Sequence, residues 1–96
     1  MRMKISEAQE LMLKIYGERD KKRGLEGTFI WFIEEVGELA EAIRKKDDKS
    51  IKEEIADVLA WLFSLANVLN IDISKCFLEK YSKCPRCKNI PCNCNF

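Results

Sequence analysis

Two ten-residue stretches of this chain are near copies, EEVGELAEAI beginning at Glu34 and EEIADVLAWL beginning at Glu53. Both carry apolar residues at helical spacing, and each sets two acids three positions apart, Glu35 with Glu38 and Glu54 with Asp57. Three residues is nearly one helical turn, so the members of a pair project from one face. Only the short polar turn Asp47-Asp48-Lys49 separates the helices that carry them, which makes them antiparallel neighbours and brings four carboxylates towards one pocket. Such a pocket repels itself unless cations fill it, and hard divalent cations take oxygen ligands. The pattern reads as a magnesium site.

The competing reading is a pair of solvated helix faces, the usual fate of helical acids. Against it, the two pairs border equivalent apolar stripes. No lysine or arginine stands three or four residues after Glu35, Glu54 or Asp57 to neutralise them. Unpaired carboxylates at a core boundary are costly unless something compensates.

Along the chain, residues 5–17 predict a first helix, with Ser6 and Gln9 as a capping box and Gly17 as its stop. Residues 18–27 carry Arg19, Lys21, Lys22 and Arg23 with two glycines, which predicts a mobile basic loop. That loop is either a solvated connection or a flap reaching a phosphate chain. Thr28 caps a second helix to about Lys46, with Phe29, Phe32, Ile33, Val36, Leu39 and Ile43 as its stripe and Glu35 at the stripe's edge. Ser50 and Glu53 form a capping box for a third helix ending near Leu69. Asn70 and Asp72 then end one helix and cap a last one, whose Cys76 reads as a small buried hydrophobe. No strand-like alternation occurs. The expectation is an all-α four-helix bundle with an antiparallel central pair over residues 1–83, and a separate tail over 84–96.

The chain has no histidine, which removes imidazole as general base, as metal ligand and as partner of a nucleophile. Catalysis here must use carboxylates, lysine or metal-activated water. The net charge of +1 lacks the basic excess of a nucleic-acid binder, so nucleic acid is not expected as a partner. Residues 25–60 hold ten acids against five bases, with basic flanks, as suits cations gripping a polyphosphate. No apolar run has the length of a membrane span and no apolar signal segment precedes Glu7, so the expected setting is cytoplasmic, with no membrane.

The pattern Glu34-Glu35-x-x-Glu38 followed by Glu54-x-x-Asp57, in its apolar context WFIEEVGELAEAI and EEIADVLAWLFSLANVLNID, resembles the MazG-like nucleoside triphosphate pyrophosphohydrolases over residues 5–81. The resemblance implies Mg²⁺-dependent hydrolysis of a nucleoside triphosphate to the monophosphate and pyrophosphate. It implies Glu35, Glu38, Glu54 and Asp57 as ligands for one to three Mg²⁺ ions, and Glu34 as the group that orients or deprotonates the attacking water. Trp61, one turn after Asp57, matches an aromatic that packs on the nucleobase; Trp31 and Phe29 are weaker candidates that suit core packing better. Lys80 matches a phosphate-side lysine, while Cys84 stands where relatives often carry a base-contacting asparagine. Lys21, Lys22 and Arg23 are further candidate phosphate contacts. Relatives form homodimers or homotetramers, and wide apolar stripes on a small domain fit that assembly.

Four of the five cysteines, Cys84, Cys87, Cys92 and Cys94, crowd into the last thirteen residues. A Cys-Pro-x-Cys knuckle with a nearby Cys-x-Cys suits a structural zinc ion, closed to water by four sulfurs. Two disulfides are the rival, disfavoured in a reducing compartment. The alternative for the whole chain is a non-catalytic, zinc-bearing helical adaptor.

Overall fold

The computed structural model describes residues 2–95. They form three α-helices, α1 (Ile5–Lys45), α2 (Asp48–Val68) and α3 (Ile73–Lys80), with no strand among the described residues. The all-α expectation holds, with three helices in place of four. The stretch expected to be a basic loop is helical: α1 runs through Gly17 and the cations that follow, and departs from helical geometry only at Gly24, with φ 82° and ψ 177°. Glycine alone tolerates that conformation, so Gly24 sets the bend between the two arms of α1.

The bend is braced from both sides. The Arg23 guanidinium donates to Asp20 Oδ1 at 2.7 Å and reaches Thr28 Oγ1 at 3.5 Å, so one side chain ties the arms across the break. Thr28 is fully buried inside the second arm rather than exposed at a helix start. Gly27 belongs to this brace, because a Cβ there would lie 2.7 Å from Arg23 Cγ.

Both arms pack on α2. Lys46, in the left-handed conformation, ends α1, and Asp47 caps α2 by accepting from the Ser50 amide; the helix therefore starts before the expected Ser50–Glu53 box. The pairs Trp31–Trp61 and Glu35–Glu54 recede together from this turn, as antiparallel helices require. At the far end, Asn70 adopts φ 57° and the Ile71 amide donates to Ala66 O, the helix stop expected of Asn70. Asp72 caps α3 through the Lys75 amide. Gln9 serves no cap. Its amide donates to Asn67 Oδ1 and Ile71 O and accepts from the Ile73 amide, fastening the α2–α3 turn to α1.

Burial resolves two faces on the second arm of α1. Thr28, Phe32, Glu35, Leu39 and Ala42 are buried or half-buried and face α2, while Phe29, Ile33, Val36, Ala40 and Ile43 are exposed. Alpha2 repeats the arrangement, with Ile51, Glu54, Val58 and Trp61 turned inward and Ile55, Leu59 and Leu62 outward. Glu35 and Glu54 thus occupy the centre of the inward faces, not the edge. Cys76, expected to be buried, is exposed. Among the described residues the buried apolar core comprises only Ala42, Phe63 and Ala66. The radius of gyration is 15.6 Å, against about 12.5 Å for a compact chain of this length.

Candidate active site

Where the inward faces meet, carboxylate oxygens of Glu35, Glu54 and Asp57 lie within 4.8 Å of one another. Glu35 comes from the second arm of α1, and Glu54 and Asp57 from successive turns of α2. Burial, then the Glu54 carboxyl against it, then the negative charges of Glu54, Asp57 and Glu38, push Glu35 up to about 7 from an ordinary 4.5. Glu54 Oε2 is buried without a hydrogen-bond partner among the described residues. Among the described residues no cation-bearing side chain forms an ion pair with any of the three.

These features fit a small divalent cation. An ion with Mg–O contacts near 2.1 Å keeps its ligand oxygens about 3.0 to 4.2 Å apart, which slight closure of this cluster achieves. The donors are all hard oxygens, one already desolvated and unpartnered. Glu38 lies outside the group of three and is exposed, but its charge acts on Glu35. Glu34, on the solvent side of the same turn, is also exposed.

Beside the carboxylates, Asp57 and Trp61 enter the wall of a cavity of about 290 Å³, completed by Tyr16, Arg19, Asp20 and Arg23 from the first arm of α1. Trp31 and Trp61 stack on each other at 5.9 Å with rings 13° apart, and the Arg23 guanidinium lies 4.7 Å from the Trp61 ring centroid. Of the candidate phosphate contacts Lys21, Arg23 and Lys80, Arg23 is brought to this cavity, beside Arg19 of the same stretch. Lys21 borders a separate hollow with Leu13 and Asn67. Lys80 lies over the Tyr81 ring, at the edge of an apolar hollow between α2 and α3. Asp20 and Tyr16 did not emerge from the sequence. The available signal was the helical spacing of Asp20 and Arg23, hidden inside a stretch read as loop.

The tail gathers Cys84, Cys87, Cys92 and Cys94, whose sulfurs also lie within 4.8 Å of one another. All are free thiols, the nearest pairs at 3.6 and 4.0 Å, far beyond the disulfide length of about 2.05 Å. Lys88, at φ 66°, turns the knuckle, and its amide donates to Cys84 O. The Asn93 amide donates to Cys87 Sγ at 3.2 Å and, with that of Asn89, pulls Cys87 down to about 6. Amides of Cys87 and Arg86 lower Cys84, while the Cys92 sulfur, then burial, then the other two cysteines push Cys94 up to about 12. Backbone donors thus favour thiolates that cannot all ionise without a cation among them, a good fit to a four-sulfur metal site.

The fold and site define a class: an all-α protein whose facing helices enclose an acidic centre beside an aromatic-walled cavity. The family profile for the MazG nucleotide pyrophosphohydrolase domain matches residues 23–90, and the chain belongs to that family. A comparison with curated proteins gives no match. No single described helix is long and apolar enough to cross a membrane.

Proposed function

We propose that this chain is a Mg²⁺-dependent pyrophosphohydrolase that converts a nucleoside triphosphate to the monophosphate and pyrophosphate by attack of water on the α-phosphate. The observation that carries the reading is the convergence of Glu35, Glu54 and Asp57, one oxygen buried and unpartnered, next to a cavity walled by Trp61. Those three carboxylates would hold the cation, and Glu38, one turn on from Glu35, would complete the set. When bound, Mg²⁺ neutralises phosphate oxygens and acidifies the attacking water. Glu34 receives the proton of that water, since no imidazole is present to do so. Trp61 and Arg23 form the wall against which the base rests. Lys80, on the exposed end of α3, and Lys21 remain candidate phosphate contacts through chain closure or a neighbouring chain.

Hydrolysis in ¹⁸O-labelled water tests the bond that breaks. The label is expected in the monophosphate, with unlabelled pyrophosphate released only when Mg²⁺ is present. Label in pyrophosphate or inorganic phosphate contradicts α-attack, and no product from any nucleoside triphosphate supports the adaptor reading instead.

The exposed stripes Phe29, Ile33, Val36, Ile43 and Ile55, Leu59, Leu62 support a homodimer or homotetramer. Ile33, Ile43 and Ile55 are 50%, 55% and 53% exposed in the single chain, an unfavourable state that a second copy relieves. Residues 1–83 form the catalytic helical unit and 84–96 a tail stapled by structural Zn²⁺; the same proposal places the protein in the cytoplasm.

For the tail, metal analysis of reduced, purified protein is expected to give about one zinc per chain, lost in Cys87→Ser. After chelation under denaturing, non-reducing conditions all five cysteines should react with a thiol reagent. Absence of zinc with only Cys76 reactive would identify two disulfides.

A further inference from the structure

Asp20 is 2% exposed, and the ion pair with Arg23 accounts for only half of its carboxylate. Oδ2 is buried and has no hydrogen-bond partner among the described residues. A buried carboxylate oxygen without a donor costs stability, so a ligand that brings one is favoured at this point. Asp20 borders two hollows. One is lined by Leu13, Gly17, Lys21, Asn67 and others. The other is the cavity that also holds Asp57 and Trp61. Only the second joins the carboxylate cluster, and only it offers an aromatic ring.

Arg23 fixes how Asp20 presents itself. Its guanidinium holds Oδ1, reaches Thr28 Oγ1 and lies over the Trp61 ring. Asp20 cannot rotate without breaking that brace, so Oδ2 is a positioned acceptor with no donor function. In one and the same pose, an exocyclic amino group donates to it, whereas the carbonyl oxygen that replaces that group in the matched oxo base repels it. The cavity, at about 290 Å³, has room for a base and little more.

We infer that Asp20 is a specificity-determining residue that selects amino-bearing over oxo-bearing nucleobases at the cavity beside Asp57, an inference that rests on the nucleotide reading above. Charge-assisted hydrogen bonds are strong enough to give about a tenfold or greater preference.

The test uses the full chain with Mg²⁺ and matched pairs differing at the amino position: cytidine against uridine triphosphates, and adenosine against inosine triphosphates. Wild type is expected to show kcat/KM about tenfold or more higher for the amino member of each pair. Asp20→Asn keeps an acceptor for Arg23 and turns an amide donor to the former Oδ2 position, so the ratio should fall about tenfold or reverse. A ratio near one in wild type overturns the inference even where the variant does not fold. So does an Asp20→Asn that lowers both members of a pair equally, which marks a structural ion pair whose free oxygen serves a trapped water or the other hollow. In both cases pyrophosphate release persists and the hydrolase reading stands. No release from any nucleotide overturns both.

Discussion

Glu54→Gln is expected to lower kcat/KM for pyrophosphate release about 10²–10³-fold, the scale seen when one preorganised electrostatic group is removed from a phosphoryl or acyl site. Glutamine keeps the size of the side chain but supplies a neutral, weaker ligand. It also replaces a carboxylate that now presses on Glu35 and has one buried oxygen unpartnered. Without metal, the variant should therefore melt no lower than wild type, because a like-charge contact has been removed. With metal, wild type should gain stability and the variant should gain little. A variant that unfolds in the absence of metal, or that hydrolyses at the native rate, contradicts the assignment of Glu54 as a cation ligand.

The second large effect is a coupling of pH to metal. In the metal-free protein Glu35 titrates near 7 against an ordinary 4.5, so between those values the folded chain keeps a proton that the unfolded chain has released. Its contribution favours the folded state fully below the unfolded value and is lost as pH rises through 7. Metal-free protein should thus melt lower at about pH 8 than at about pH 5.5 on account of this group. Mg²⁺ binds the ionised carboxylates and should reverse the trend, stabilising strongly at the higher pH. Calorimetric titration should show Mg²⁺ affinity falling about tenfold per pH unit below 7, one proton being displaced per ion. Affinity that is constant across this window would mean that Glu35 does not bind the ion.

The convergence of Glu35, Glu54 and Asp57 was legible because helical spacing and a short connecting turn leave little freedom for where those side chains go. Glu38 was harder to place. Glu38 and Asp57 each stand three residues on from an inward glutamate, about 60° short of a full turn, and both are exposed, yet only Asp57 keeps an oxygen within the group, so spacing alone does not separate them. The sequence showed one broad apolar stripe where the structure has two, an inward face containing Glu35 and an outward face containing Ile33 and Ile43. Periodicity registers apolarity without saying which neighbour it meets, so a face suited to a second chain and a face suited to α2 look alike.

The helical character of the residues flanking Gly24 was not legible for a related reason. Glycine in a helix interior costs about 1 kcal/mol, and a basic run with two glycines suggests a break. Here the break is confined to Gly24, and tertiary contacts hold the residues on either side in helical form. Arg23 lies close against Gly27, pairs with buried Asp20 and covers Trp61, so the same residues that resemble a loop form the wall of the cavity. Asp20 became visible only once that stretch was known to be helical. The tail shows the opposite balance: four cysteines at knuckle spacing define their cluster almost without help from the rest of the fold.

The most direct measurement is a crystal structure of the protein with Mg²⁺ and a nucleotide whose α,β bridge cannot be hydrolysed. The account predicts an ion bound by oxygens of Glu35, Glu54 and Asp57 at about 2.1 Å, with the triphosphate on its open side and the base against Trp61. A nucleotide bound elsewhere, with those three carboxylates apart and no ion among them, would contradict it.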